Sequence, residues 1–180
     1  MFRETMQTID ASEGYFVNPS YFRIKVQKDE AIDRLCNWTN GKPIESIETS
    51  YSKAVSVACI GGKWKGIALY VYQNEDWTVF EDLTGAYSSI PAEKWLEFAE
   101  NEPLVVAGYN DAIVYAELIA IEKNQISKVF YEHTGIPEAF RNTGTLSFED
   151  IKPIESWIDV AAFVDGDDLA YSDNGTVLIF

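Results

Sequence analysis

The sequence predicts an α+β protein: an antiparallel sheet built from two β-meanders and covered by short helices. Three observations predict it. Short apolar runs recur between turn dipeptides, namely Gly61-Gly62, Asn110-Asp111, Lys123-Asn124 and Asn174-Gly175. Helical stripes are few and short, so they do not alternate with strands as a parallel α/β sheet requires. Finally, one block of the chain echoes another, which points to a tandem β-β-β-α unit.

The elements follow in order. Phe22-Arg23-Ile24-Lys25-Val26 alternates and reads as a strand. From Lys28 to Trp38, Ala31, Ile32, Leu35 and Cys36 make one apolar helical stripe, with Asp29 and Glu30 in the first turn where the helix dipole favours acids. Asn40-Gly41-Lys42-Pro43 ends it. Residues 44–53 are mixed and read as a loop or an edge strand. Ala54 to Ile60, Trp64 to Tyr72 and Trp77 to Glu81 read as the first meander, with Gly61-Gly62 supplying the positive φ of a tight hairpin turn. Pro91 to Glu100 is a helix with Pro at its first position and Trp95, Phe98 and Ala99 on its apolar face.

A second meander follows: Leu104 to Tyr109, Ala112 to Ile121 and Ile126 to Tyr131. A helix can start at Pro137, and Pro153 to Ala161 reads as helix or strand. Leu169 to Ser172 and Thr176 to Phe180 flank Asp173-Asn174-Gly175 as a terminal hairpin.

The echo sets Val79-Phe80-Glu81-Asp82-Leu83-Thr84-Gly85 against Val129-Phe130-Tyr131-Glu132-His133-Thr134-Gly135, fifty positions on. Leu69 to Tyr72 faces Leu118 to Ile121 with one residue less between them. The chain therefore reads as one domain, 1–180, with similar halves at about 54–100 and 104–140, an N-terminal strand and helix, and a C-terminal hairpin. Helices are expected to cover one face of the sheet and leave the other open.

Composition narrows the function. The 180 residues carry 14 bases and 29 acids, a net charge of −15. Phosphate backbones and anionic membranes repel such a surface, so nucleic acid and membrane are poor partners and a basic protein is a better one. The acids concentrate late: after Lys152 come Glu155, Asp159, Asp165, Asp167, Asp168 and Asp173 with no base among them. Cys36 and Cys59 stand beside apolar residues and read as buried thiols. The start of the chain lacks the apolar stretch of a secretory signal, which points to a cytoplasmic protein.

Chemistry-bearing motifs are sparse. The single histidine, His133, and two distant cysteines do not supply a zinc site, and Gly61-Gly62-Lys63 is not a phosphate loop, so neither a metal nor a cofactor is expected. Asp165-Gly166-Asp167-Asp168 is a fragment of a calcium loop without its closing glutamate. Glu117 is the best catalytic candidate, because a carboxylate inside a mostly apolar strand must be partnered, shifted in pKa or turned to solvent. Trp64, Tyr109, Asn110 and Asp111 at two hairpin tips, with Asp165, Asp167, Asp168 and Asp173, are the candidate contact residues.

Three readings follow. The leading one is a non-enzymatic acidic module that binds a basic protein, with acids steering the encounter and aromatic anchors holding it. In physical character it resembles the bacterial immunity proteins that block toxins, an analogy of class without a shared motif. The second is a small carboxylate-dependent hydrolase or ligand-binding domain using Glu117 with Tyr109 or Tyr115. The third is a domain that only self-associates as a homo-oligomer.

Overall fold

The computed structural model describes residues 19–166 and 174–180. In chain order its elements are β1 (Ser20–Ile24), α1 (Lys28–Thr39), β2 (Glu45–Thr49), α2 (Tyr51–Ala58), β3 (Cys59–Ile60), β4 (Lys63–Trp64), β5 (Ala68–Asn74), β6 (Trp77–Asp82), α3 (Ala92–Ala99), β7 (Leu104–Asn110), β8 (Tyr115–Glu122), β9 (Gln125–His133), β10 (Arg141–Gly144), α4 (Trp157–Gly166) and β11 (Gly175–Ile179). The expected α+β class and antiparallel pairing hold. Nine strands form one sheet in the order β10-β9-β8-β7-β1-β6-β5-β11-β2, and β3 and β4 form a separate two-stranded ribbon. Among the described residues, no helix is long and apolar enough to cross a membrane.

β1 is the seam. It pairs with β6 on one side and β7 on the other, and so joins the β5–β6 hairpin to the β7–β8–β9 meander. Tyr21, Phe22 and Ile24 are buried on both faces, as a central strand requires. At the far side β11 lies between β5 and β2, which fills both of its edges. Leu169 to Ser172, the expected partner of the terminal hairpin, lies outside the described residues.

The first meander is corrected at its start. Ala54 to Ile60 is not one strand: Tyr51–Ala58 is helix α2, and only Cys59 and Ile60 are extended. Val55 and Val57 favour a strand by composition, but Ala54 and Ala58 stand four apart and bury one helical face against the sheet. Trp64 to Tyr72 is also broken, into β4 and β5. The break falls at Gly66, where a Cβ would lie 2.2 Å from the Phe180 carbonyl oxygen, so only glycine lets the chain pass the C-terminal strand. The Gly61-Gly62 turn has both φ values positive, as expected. Pro137 opens a 3₁₀ turn of three residues rather than a helix, and β10 follows it unforeseen.

Helices cover both faces of the sheet, not one. On one face Phe22, Ile24, Leu69, Val71, Phe80, Leu104, Val106 and Ile119 pack beneath α1 and α3. On the other, Tyr21, Tyr70, Tyr72, Val79, Ala107, Leu118 and Phe130 pack beneath α2 and α4. The alternating strands carry apolar residues on both faces, so a single covered face would have left one set in water. The echoing hairpins differ in register. Leu69 pairs with Asp82, whereas the aligned residue Leu118 pairs with Phe130, not with Glu132. A β-bulge between Ala120 and Ile121 accompanies the difference.

Candidate functional site

The strand registers place the end of β6, the β7–β8 tip and the end of β9 at one end of the sheet. The candidate residues gather there, divided between its two faces.

On the α1/α3 face stands Glu117, opposite Gly108 on β7 and Tyr131 on β9. It is 1% exposed. Its Oε2 accepts a hydrogen bond from the Ser89 backbone N–H at 3.0 Å, and its Oε1 has no partner. Burial pushes its carboxyl up to about 7, against the Tyr115 hydroxyl and the Ser89 amide, which lower it. Tyr115, two residues away on the same strand face, is 8% exposed, and its hydroxyl likewise has no hydrogen-bond partner. The phenol lies near enough to Glu117 for each to shift the other's proton affinity, without the geometry of a hydrogen bond. Its ring meets Tyr131 edge-on at 5.7 Å and His133 at 6.0 Å. Tyr109, the other tyrosine expected beside Glu117, belongs to the opposite face.

Asp82 is the residue that sequence reasoning missed. It lies at the end of β6 and accepts from the Thr84 N–H at 3.2 Å, the Thr84 hydroxyl at 3.3 Å and the Tyr87 N–H at 2.7 Å. Burial pushes it up to about 6. Asp82 and Glu117 together hold the 84–90 loop, at Thr84 and Tyr87 through the first and at Ser89 through the second. Asp82-Leu83-Thr84 was the available signal, an acid two residues ahead of a turn threonine at a strand exit. A third buried carboxyl, Glu81, points to the other face, where the Tyr72 hydroxyl donates to it at 3.2 Å. Burial pushes it up to about 7.

On the α2/α4 face, α4 crosses the same end of the sheet. The Trp157 N–H donates to Glu132 on β9 at 2.7 Å, and the Tyr109 hydroxyl on β7 donates to Asp165 at 3.0 Å. Two expected contact residues, Tyr109 and Asp165, are thus brought together from 56 positions apart. Ser156 and Asp159 form the start of α4. The Ser156 hydroxyl and N–H both donate to Asp159 at 2.8 Å, which is one half of a capping box: the acid reaches back to the Ser156 N–H, while the Ser156 hydroxyl turns onto the carboxylate. Partial burial raises the Asp159 carboxyl, but the Ser156 hydroxyl and the Glu155 and Ser156 amides outweigh it and hold the group below its usual value. Beside the helix runs a groove of about 650 Å³, lined by Phe148, Ile151, Ile154, Ala162 and Phe163 with Lys152, Glu155 and Asp159. The strand below it is tied by a buried ion pair, Lys128 Nζ to Glu149 at 2.7 Å, whose carboxylate also accepts from the Leu146 N–H.

No known protein family, no curated protein and no solved structure matches this chain. Geometry and charge therefore carry the functional argument.

The remaining candidates divide plainly. Trp64 is 5% exposed and packs in the core with Ala54 and Ala58, so it offers no anchor to a partner. Asn110 accepts from the Ala112 N–H at 2.9 Å and serves its own turn, while Asp111 beside it is exposed. Asp167, Asp168 and Asp173 lie outside the described residues. His133 accepts from the Gly135 N–H at 2.9 Å through Nδ1 and shapes the turn after β9. Among the described residues, no group of three histidines, cysteines or acids stands close enough to hold a metal ion.

Proposed function

We propose that the protein is a non-enzymatic acidic module that binds a basic protein partner through the α4 end of its sheet, in the manner of the immunity proteins that neutralise toxins. The observation that carries this reading is the groove beside α4. Its interior is aromatic and aliphatic, and against one base, Lys152, three acids stand along and beyond it: Glu155, Asp159 and Asp165. Aliphatic side chains on and near the same end are unusually open, Ile158 at 60% and Ile113 at 51%. Apolar surface that a partner can bury, flanked by charge, is the arrangement that gives a protein interface affinity and a fast, guided encounter. The net charge of −15 supports a cationic partner over a phosphate backbone.

The test compares the protein with its Asp111→Asn, Glu155→Gln, Asp165→Asn triple variant. Capture from lysate at about 50 mM salt is expected to retain a protein of high pI, and retention falls at about 300 mM as screening shortens the reach of the acids. The variant is expected to associate roughly tenfold more slowly with the captured partner, with a flatter salt dependence. Equal association rates for the variant and the parent would remove the steering role. A dimer in sedimentation that breaks on Ile158→Asp, with nothing captured, would give this surface to self-association instead.

A further inference from the structure

We propose that Tyr115 and Glu117, beneath the 84–90 loop, form a binding site for an alkylammonium group, presented by a small amine or by a lysine side chain. The site lies on the α1/α3 face and is independent of the groove beside α4.

Two adjacent polar atoms, Glu117 Oε1 and Tyr115 Oη, have no partner although both side chains are more than nine-tenths buried. Buried polar groups are ordinarily satisfied, so a neighbouring pair of orphans marks a place where a partner is missing. The chemistry of that partner follows from the inventory. Glu117 offers a carboxylate oxygen, Tyr115 a phenolic oxygen, and the hydroxyls of Ser89 and Tyr131, 3.5 Å apart, stand beside them. All can accept, and an ammonium carries three donors and no acceptor. Charge points the same way. Neither Asp82 nor Glu117 takes part in an ion pair with a base among the described residues, although both are buried on this face. Buried carboxylates are ordinarily paired, and a bound cation would supply the missing charge.

The neighbouring strands contribute small or polar side chains. The strand residue opposite Glu117 on β7 is Gly108, and the one opposite Gly108 is Ser20, while Tyr131 on β9 stands on the other side of Glu117. The Ser20 hydroxyl, 3.0 Å from where a Cβ at 108 would stand, fills the space over Gly108 and adds a further acceptor. The cover is thin. Ser89, whose N–H holds Oε2, is exposed and sits at φ +61°, outside the range that serine ordinarily adopts.

Amide NMR of the full chain tests this with two probes, n-butylammonium chloride and the peptide acetyl-Gly-Lys-Gly-amide, against sodium chloride of equal ionic strength. A single buried cation contact gives millimolar affinity, so each probe is taken to about 20 mM. Saturable shifts at Ser89, Tyr131 and Gly108 are expected, and Glu117→Gln is expected to weaken them at least tenfold. Tyr115→Phe provides the same comparison should Gln at 117 not fold. Saturation by the amine alone assigns the site to a small molecule, and saturation by both assigns it to a lysine side chain as well. The proposal is overturned if sodium chloride gives the same shifts, if neither probe saturates, or if both variants respond like the parent. Those outcomes would leave an ordered water between Oε1 and Oη as the missing partner.

Discussion

Trp95→Ala is expected to lower stability by about 3–5 kcal/mol, read as a fall in the urea midpoint at an unchanged m-value. Trp95 is fully buried on α3 and is the hub of the aromatic core. Its ring lies 4.9 Å from Phe22, 5.1 Å from Trp38, 5.9 Å from Phe98 and 6.5 Å from Tyr87. Those partners come from β1, α1, α3 and the 84–90 loop, so one side chain ties two helices and a loop to the central strand. Phe22 also stacks on Phe80 at 4.6 Å, which extends the cluster across the β1–β6 seam. Removing the ring leaves a cavity that the rigid sheet below cannot close. Trp95→Phe is the control. The indole N–H is buried without a partner, so phenylalanine deletes an unsatisfied donor along with part of the ring. Its expected cost is about 1–2 kcal/mol, the lost apolar contact less the relieved donor. A Trp95→Ala cost below about 1 kcal/mol would show that the core does not depend on this hub.

Local pattern and long-range placement were legible to different degrees. α1 and α3 follow from their apolar stripes, and β5 through β9 from their alternation and turns, because each is decided by residues close in the chain. α2 was lost because Val55 and Val57 speak for a strand while the deciding contacts, Ala54 and Ala58 against the sheet, are tertiary. The place of β11 between β5 and β2 is a pairing across more than a hundred residues, and its own five residues would suit any buried strand equally. The site divides in the same way. Glu117 stood out because an acid in an apolar strand is anomalous, and Tyr115 shares its face by the two-residue period. Trp64 was misread because a tryptophan beside a turn looks alike whether its ring faces a partner or the core. The meeting of Tyr109 with Asp165 depends on how α4 crosses the sheet, which neither local sequence encodes.

Stability is expected to fall as pH rises from about 5 to 8, and Glu117→Gln is expected to remove a distinct share of that fall. The usual carboxylate trend has the opposite sign. An acid whose proton affinity drops on folding adds stability above its unfolded pKa. Here burial raises Glu117 to about 7, Glu81 to about 7 and Asp82 to about 6, from ordinary values of 4.5, 4.5 and 3.8. Between those limits the folded chain binds more protons than the unfolded chain, so the slope of unfolding free energy against pH is negative. The loss begins once the unfolded carboxyls ionise and levels off above pH 7, when the folded ones have followed. Glutamine at 117 keeps the shape without the charge and matches the protonated acid. At pH 8 the variant is therefore expected to be more stable than the parent by roughly 3 kcal/mol, and at pH 4 to be nearly equal to it. The two acids held below their ordinary range, Glu149 and Asp159, lose their contribution only on the acid side of this window. General repulsion among 29 acids and 14 bases also weakens the fold as pH rises, but it acts on variant and parent alike and is reduced by salt. Only the difference between the two urea titrations, repeated at high salt, isolates the buried group. Parallel curves for parent and variant from pH 5 to 8 would mean that Glu117 is ionised throughout, with a cation or water already satisfying Oε1 in solution.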